Sequence, residues 1–445
     1  MSLRDVGALS SSLAPAVLLL SLGAVPDAPY RDPKLPVEER VKDLVGRMTL
    51  EEKIAQVTAF WRKESFSDES GRFVPDKART ALANGIGQIS RPSEARPTSP
   101  QGPVVRGPRE SAQFMNDLQS WLRQNTRLGI PAMTHEEALH GLAAPKGTHF
   151  PIPIGLATAW DPALVERVMG AAALEARARG THAVLSPVLD LARDPRWGRT
   201  EETYGEDPYL AARLGVAAIR GYQGSGRPLA KDKVFATAKH YAVHGPHEGG
   251  INTAPSSFGE RTIRDQYLFP FETVFREAKP LLVMPSYNEI DGVPAHQNTW
   301  LLETVLRGEW GFDGLVVSDY FAIDQLMDRH HTAGSLEEAA LLSLRAGVDI
   351  ELPDPKAYLA LADAVKAGRV DPKLLDQAVA RNLRVKLLAG LFEDPLVDVE
   401  RAERVSNSPE HQALALEAAR RTIALVKNEG GVLPLDRGKL RKLAV

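Results

Sequence analysis

Cysteine is absent from the 445 residues. That excludes disulfides, thiolate metal sites and a cysteine nucleophile. It does not choose a redox compartment. No excess of one charge is present either. There are 54 Lys and Arg against 57 Asp and Glu, a net charge of −3. Charges so mixed read as a solvated surface and offer no basic footprint for nucleic acid. Long apolar runs are missing apart from Leu13 to Val25, which is too short to span a membrane. Arg4 lies before that run, and Ala24 and Ala28 near its end are small enough for a cleavage point. Residues 1–28 therefore read as a signal peptide or a disordered extension. A signal peptide implies a periplasmic or secreted protein; a cytoplasmic location stays open.

Several chemical motifs are missing too. His135 and His140 in HEEALH are five residues apart, whereas two zinc ligands on one helix face are four apart. No Gly-rich loop follows an apolar run as a dinucleotide or phosphate site requires. No GxSxG elbow occurs, which argues against a serine esterase. No cofactor and no metal are expected, and no short repeat is visible.

What is present is an alternation of short apolar runs and longer helical patterns. The runs are 86–90, 130–134, 183–191, 234–240, 281–287, 314–319 and 347–352. They are nearly continuous in apolar residues, as strands covered on both faces are. The helices carry clear punctuation. Thr49 and Glu52 form a capping box before an amphipathic segment that ends near Phe60. Asp161–Pro162 opens a helix that Gly180 ends, Ser335 opens one that stops near Gly347, and Asp371–Pro372 opens one that closes at Gly390. This cadence predicts an α/β fold, a TIM (β/α)8-type barrel over residues 30–395. A doubly wound open sheet is the alternative. Residues 396–425 read as a linker, polar and loop-like at first. Residues 426–445, ending on the strand pattern LRKLAV, read as the beginning of a truncated α/β sandwich domain.

In a parallel barrel, function gathers at the carboxyl ends of the strands. Polar residues recur there: Glu136, Glu137 and His140, Arg193 through Arg199, Lys239 with His240, Tyr287, and Asp319. Taken alone, Asp319 is as well explained by the preference of strand-to-helix turns for aspartate. Acids, bases and an aromatic at successive strand ends are not required by turns. Carboxylates, cationic donors and aromatic faces together suit a neutral polyhydroxyl ligand such as a sugar.

Five stretches then carry a resemblance. RDPRWGRTEETYGEDPYL (193–210), THEEALHG (134–141), ATAKHYAVHG (236–245), VMPSYNEIDGVP (283–294) and GFDGLVVSDY (311–320) resemble the signature of glycoside hydrolase family 3, the β-glucosidases and β-xylosidases. They stand in the family's order, and the resemblance runs from about Tyr30 to the last residue. It implies a retaining, exo-acting β-glycosidase in which Asp319 forms a covalent glycosyl-enzyme. Nearby cationic groups would lower the pKa of Asp319. It implies substrate-binding roles for Glu137, Arg199, Lys239, His240 and Tyr287, with Glu137 accepting from sugar hydroxyls and Arg199, Lys239 and His240 donating to them. Tyr287 would restrain the nucleophile, and Tyr320 would stack on the next sugar or pack in the core.

Other polar residues read as support. Glu136 is expected to face solvent or pair with a cation, and His244 to be structural. Trp197 and Arg196 would pin the loop. Arg193, Asp194 and Asp207 would form ion pairs, and Met284 would pack. The family's acid/base usually lies in a second domain or in an Asp–His pair on the loop after the Lys-His strand. Here that loop holds His247 and Glu248 without the pattern, and neither is assigned the role. The partners implied are a glycoside or oligosaccharide substrate and the missing C-terminal α/β domain, with no nucleic acid and no membrane. The EALHG stretch and the long Glu137 side chain lean towards a β-xylosidase. A β-glucosidase is the alternative within the family. A sugar-binding barrel impaired in catalysis is the alternative outside it.

Overall fold

A computed structural model of the chain describes residues 28–96 and 104–443. Most of the stretch read as a signal peptide lies outside the described residues. Seven parallel strands make the main sheet: β1 (Ala59–Phe60), β2 (Gln88–Ser90), β3 (Met133–Glu136), β4 (Ala183–Val184), β5 (Phe235–Tyr241), β6 (Leu282–Pro285) and β7 (Leu315–Val316). Each pairs with the next in sequence. A doubly wound sheet reverses its strand order at a switch point, and this one does not.

The segment around Ile350 completes the ring. The amides of Asp349 and Ile350 donate to the Val316 carbonyl, and the Ser318 amide donates to the Ile350 carbonyl. On the other side, the Glu351 amide donates to the Val57 carbonyl at 3.0 Å. Residues 349–352 thus hydrogen-bond towards both β7 and the start of β1, as an eighth barrel strand does. The fold is the expected TIM-type α/β barrel. Its strands are buried on both faces: every residue of β2, β3, β5 and β6 is shielded from solvent.

The helices form where the punctuation predicts. The reciprocal hydrogen bonds of Thr49 and Glu52 open α1 (Leu50–Gln56). Further around the barrel lie α2 (Pro108–Asn125), α3 (Pro162–Ala178), α4 (Pro208–Gln223), α5 (Phe269–Glu277), α6 (Leu336–Ala346) and α7 (Pro372–Leu388). Asp161, Asp207, Ser335 and Asp371 each accept a backbone N–H at a helix start. Gly347 ends α6 at φ 101°, where a Cβ would lie 2.3 Å from the Glu303 carboxylate. Only glycine fits there without strain.

Four expectations need correction. The first helix ends at Gln56 rather than near Phe60, because Ala59 and Phe60 pair with Gln88 and Ile89. The long run 183–191 forms only a two-residue strand, since Pro187 has no N–H to give to a ladder. The loop-like stretch after residue 391 contains a helix, Val399–Val405, whose first turn is capped by Asp398. It is followed by α8 (Pro409–Arg421), which packs on α3 through buried Ala418 and a 2.7 Å His411–Glu175 hydrogen bond. Finally, no strand forms among the described residues 422–443, which lie exposed apart from half-buried Thr422 in the cap of α8.

Barrel closure rests on Asp349, which is 1% exposed. Its carboxylate accepts from the Val316 amide, from Arg307 and from Arg381, each at 2.8 Å. Asp349→Ala strands a buried guanidinium and leaves an amide unpaired. It should destabilise the fold by about 3 kcal/mol or more in urea unfolding. A loss below about 1 kcal/mol would show that closure does not depend on this carboxylate.

Candidate active site

Parallel strands present all their carboxyl ends at one rim. Glu137 follows β3, Lys239 and His240 lie on β5, Tyr287 follows β6, and Asp319 and Tyr320 follow β7. The long excursion after β4 adds Asp190 and Arg199. The structure brings all seven expected site residues to this rim.

Asp319 is 7% exposed. Its Oδ1 accepts from the Tyr320 amide at 2.7 Å. Its Oδ2 has no hydrogen-bond partner among the described residues and lies 3.8 Å from His240 Nε2. Burial raises the pKa of this carboxyl, while Arg199, Lys239 and the nearby Tyr287 hydroxyl pull the other way. The net direction is upward, against the expectation drawn from the cations alone.

Glu137 accepts from Lys239 at 3.1 Å and from Arg91 at 3.1 Å. Burial would raise its pKa, but these two cations outweigh it and hold the carboxyl below its ordinary value. Arg199 grips Glu202 with two hydrogen bonds of 2.8 Å and reaches His240 Nε2 at 3.1 Å. His240 Nδ1 lies 2.7 Å from Asp190 Oδ2, and the His240 amide donates to Asp190 Oδ1 at 2.9 Å. Burial keeps His240 neutral by driving its pKa well down. With Nδ1–H given to Asp190, Nε2 is the lone pair. His240 therefore accepts from Arg199 at this nitrogen rather than donating as expected.

An aromatic wall closes one side. The Tyr320 ring lies 5.7 Å from that of Trp61, with the Arg91 guanidinium 5.1 Å above it. The Tyr320 hydroxyl pairs with His135 Nε2 at 2.9 Å. The Tyr287 hydroxyl donates to the Tyr320 carbonyl at 3.0 Å, so it fixes the turn that carries Asp319. Of these groups Arg91, Glu137, Arg199, Glu202 and Lys239, together with His140 and others, line a cavity of about 290 Å³.

Residues 49–385 match the model of the glycosyl hydrolase family 3 N-terminal domain. The chain belongs to glycosyl hydrolase family 3. It is 39% identical over 419 residues to a putative β-xylosidase of Formosa agariphila, covering 94% of this chain and 54% of that protein. A β-xylosidase of the same organism is 42% identical over 337 residues, 72% of this chain and 46% of its own. A solved β-glucosidase from Erythrobacter marinus superimposes with a TM-score of 0.86 at 38% identity, over 93% of this chain and 53% of that one. The chain spans about half the length of the relatives it matches.

The supporting residues of this family 3 barrel fall out as follows. His244 is fully buried and shares Asp190 Oδ2 with His240 at 2.9 Å. Asp190, His240 and His244 offer ligand atoms within 4.8 Å of one another, but both imidazoles point Nδ1 at the same carboxylate oxygen, a hydrogen-bonded cluster. Trp197 packs on His244 and His247, and Asp194 pairs with Arg196 at 2.7 Å. Asp207 caps α4, Arg193 meets the neutral Gln266, and Met284 is in the core. Glu248 accepts from Ser257, and His247 is buried.

Arg193 and Asp207 thus form no ion pair among the described residues, against the expectation for them, and Glu136 departs from its reading as well. It is 3% exposed and accepts from the Ser93 amide at 2.7 Å. Burial pushes its pKa up to about 7. The strand it ends runs 133–136 rather than 130–134, which carries Glu136 into the wall.

Four residues were not anticipated: Trp61, Arg91, Asp190 and Glu202. Arg91 directly follows the run 86–90, so the strand-end rule that found Lys239 would have found it too.

Proposed function

We propose that the chain is the catalytic barrel of a retaining, exo-acting β-glycosidase with Asp319 as nucleophile. The observation that carries this is the buried Asp319 Oδ2, unpartnered among the described residues and under the charge of Arg199 and Lys239, two cations that with Glu137 also line a cavity of about one sugar's size. In the first step Oδ2 bonds to C1 while the aglycone oxygen leaves and takes up a proton. In the second, water attacks C1, the C1–Oδ2 bond breaks, and the carboxylate is restored. Two inversions retain the anomeric configuration.

Each side chain has a part in this. Glu137, kept ionised by Lys239 and Arg91, accepts from sugar hydroxyls, and the cations donate to them. Tyr287 restrains the turn beneath Asp319, and Tyr320 with Trp61 offers a face to the leaving sugar. The cavity's carboxylates, Glu137 and Glu202, are both tied to cations. Neither suits a proton donor, and we place that donor in a further domain. Activated aryl glycosides need little protonation and are the substrates of choice for this chain. The signal-peptide reading of residues 1–28 supports an exported location.

We favour xylose over glucose. Glu137 lines the cavity with the longer of the two acidic side chains, and two relatives at 39% and 42% identity are named a putative β-xylosidase and a β-xylosidase. The solved β-glucosidases of the same fold support glucose as the second reading.

Asp319→Asn should lower kcat/KM for a dinitrophenyl β-xyloside by about 10³-fold or more. A variant as fast as the parent would refute the assignment. The pH profile has a fixed sign. The nucleophile works ionised, so activity rises with pH through its raised pKa. The acid limb should lie above that of an ordinary aspartate and move further up in Lys239→Met, which removes a lowering charge. An acid limb that moves down would contradict this. Glu137→Asp should raise the glucoside-to-xyloside ratio of kcat/KM by about tenfold; an unchanged ratio would remove Glu137 from the specificity argument.

A further inference from the structure

The ladder of β7 ends one residue before the nucleophile. The amides of Leu315 and Val317 donate to carbonyls of β6 and its approach, and those of Val316 and Ser318 to Asp349 and the Ile350 carbonyl. Asp319 is the first residue beyond the ladder. Its amide is buried, and no strand carbonyl receives it. His296 receives it instead, with Nε2 at 3.0 Å.

His296 sits on a short 3₁₀ turn, Ala295–Gln297, and is 2% exposed. Its other nitrogen, Nδ1, lies 3.1 Å from the Ser286 carbonyl. Both partners have fixed roles. A carbonyl only accepts, so Nδ1 carries the hydrogen. A backbone amide only donates, so Nε2 is the lone pair. One neutral imidazole in one tautomer thus ties the residue after β6 to the nucleophile after β7. Burial holds its pKa down at about 3, so the tie persists through the range in which the enzyme would work.

We infer that His296 is a positioning residue for the nucleophile: through its Nε2 it holds the Asp319 backbone so that Oδ2 faces the sugar. This rests on the reading of Asp319 given above. Among the described residues, the Asp319 carboxylate is otherwise tied by Oδ1, to the next residue's own amide. Oδ2 accepts no hydrogen bond among the described residues, and so its direction is set by the backbone. A shift near 1 Å at a reacting atom costs about 10²-fold in rate.

The test uses the full chain and the burst of dinitrophenolate from a 2-deoxy-2-fluoro dinitrophenyl xyloside. That burst reads the Asp319 step alone, and saturation separates rate from affinity. His296→Leu fills the space and removes the acceptor. Its burst should slow by about ten- to a hundredfold, with the half-saturating concentration within about threefold of the parent. His296→Gln can accept from Asp319 and donate to Ser286, and should recover to within about threefold. A leucine variant as fast as the parent, or a glutamine variant as slow as the leucine one, overturns the inference. If His296→Leu does not fold, the glutamine variant alone decides it by the same limit. If the parent gives no burst, the nucleophile reading has failed instead. The crystal structures then decide the tie: Asp319 in its parental place in His296→Gln upholds it, and a displaced Asp319 overturns it.

Discussion

A buried carboxylate that, as the proposed nucleophile, would have to carry charge governs this barrel mouth. Asp319 is withdrawn from water, which favours its neutral form, and it has no hydrogen bond at the oxygen that would react. Arg199 and Lys239 offset part of that cost. Each cation needs its own anchor. Lys239 is shared with Glu137, and Arg199 is held by Glu202 while it donates to His240. His240 in turn is fixed by Asp190. Among the described residues, the rim is a chain of alternating acids and bases in which these members are engaged and Asp319 Oδ2 is not. A buried polar network is stable only when its members are satisfied, and the unpartnered oxygen is the atom we propose reacts.

The barrel makes such a chain possible. Parallel strands deliver Glu137, Lys239, His240, Tyr287 and Asp319 to one edge although they are spread over 183 positions of sequence. The closing segment around Ile350 fixes β7 from its far side through Asp349, and that places the strand from which Asp319 emerges. Closure of the ring and the placing of the strand before Asp319 are consequences of the same hydrogen bonds.

Much of this was legible in the sequence, and the rest was not for identifiable reasons. Continuous apolar runs gave the parallel sheet, and caps such as Thr49, Asp161 and Ser335 gave the helix starts. β1 escaped because two residues are too few to show a period, and its identity comes from pairing with β2. The strand-end rule located the site, and Arg91 satisfied that rule without being singled out. Glu136 was misplaced because strand β3 lies a few residues further along than its apolar run. Asp190 and His296 could not be read from local pattern. They act on residues 50 and 23 positions away, and only the folded chain brings them together. The cations near Asp319 were foreseeable. That burial outweighs them was not, because burial is a property of the assembled rim.

The central claim is that Asp319 Oδ2 is the atom that bonds to C1. Peptide mass mapping after quenching the full chain with a 2-deoxy-2-fluoro β-xyloside tests this directly. The account predicts one added sugar, on the peptide containing Asp319 and on that side chain. A sugar found on Glu137, Glu202 or any other carboxylate would contradict it.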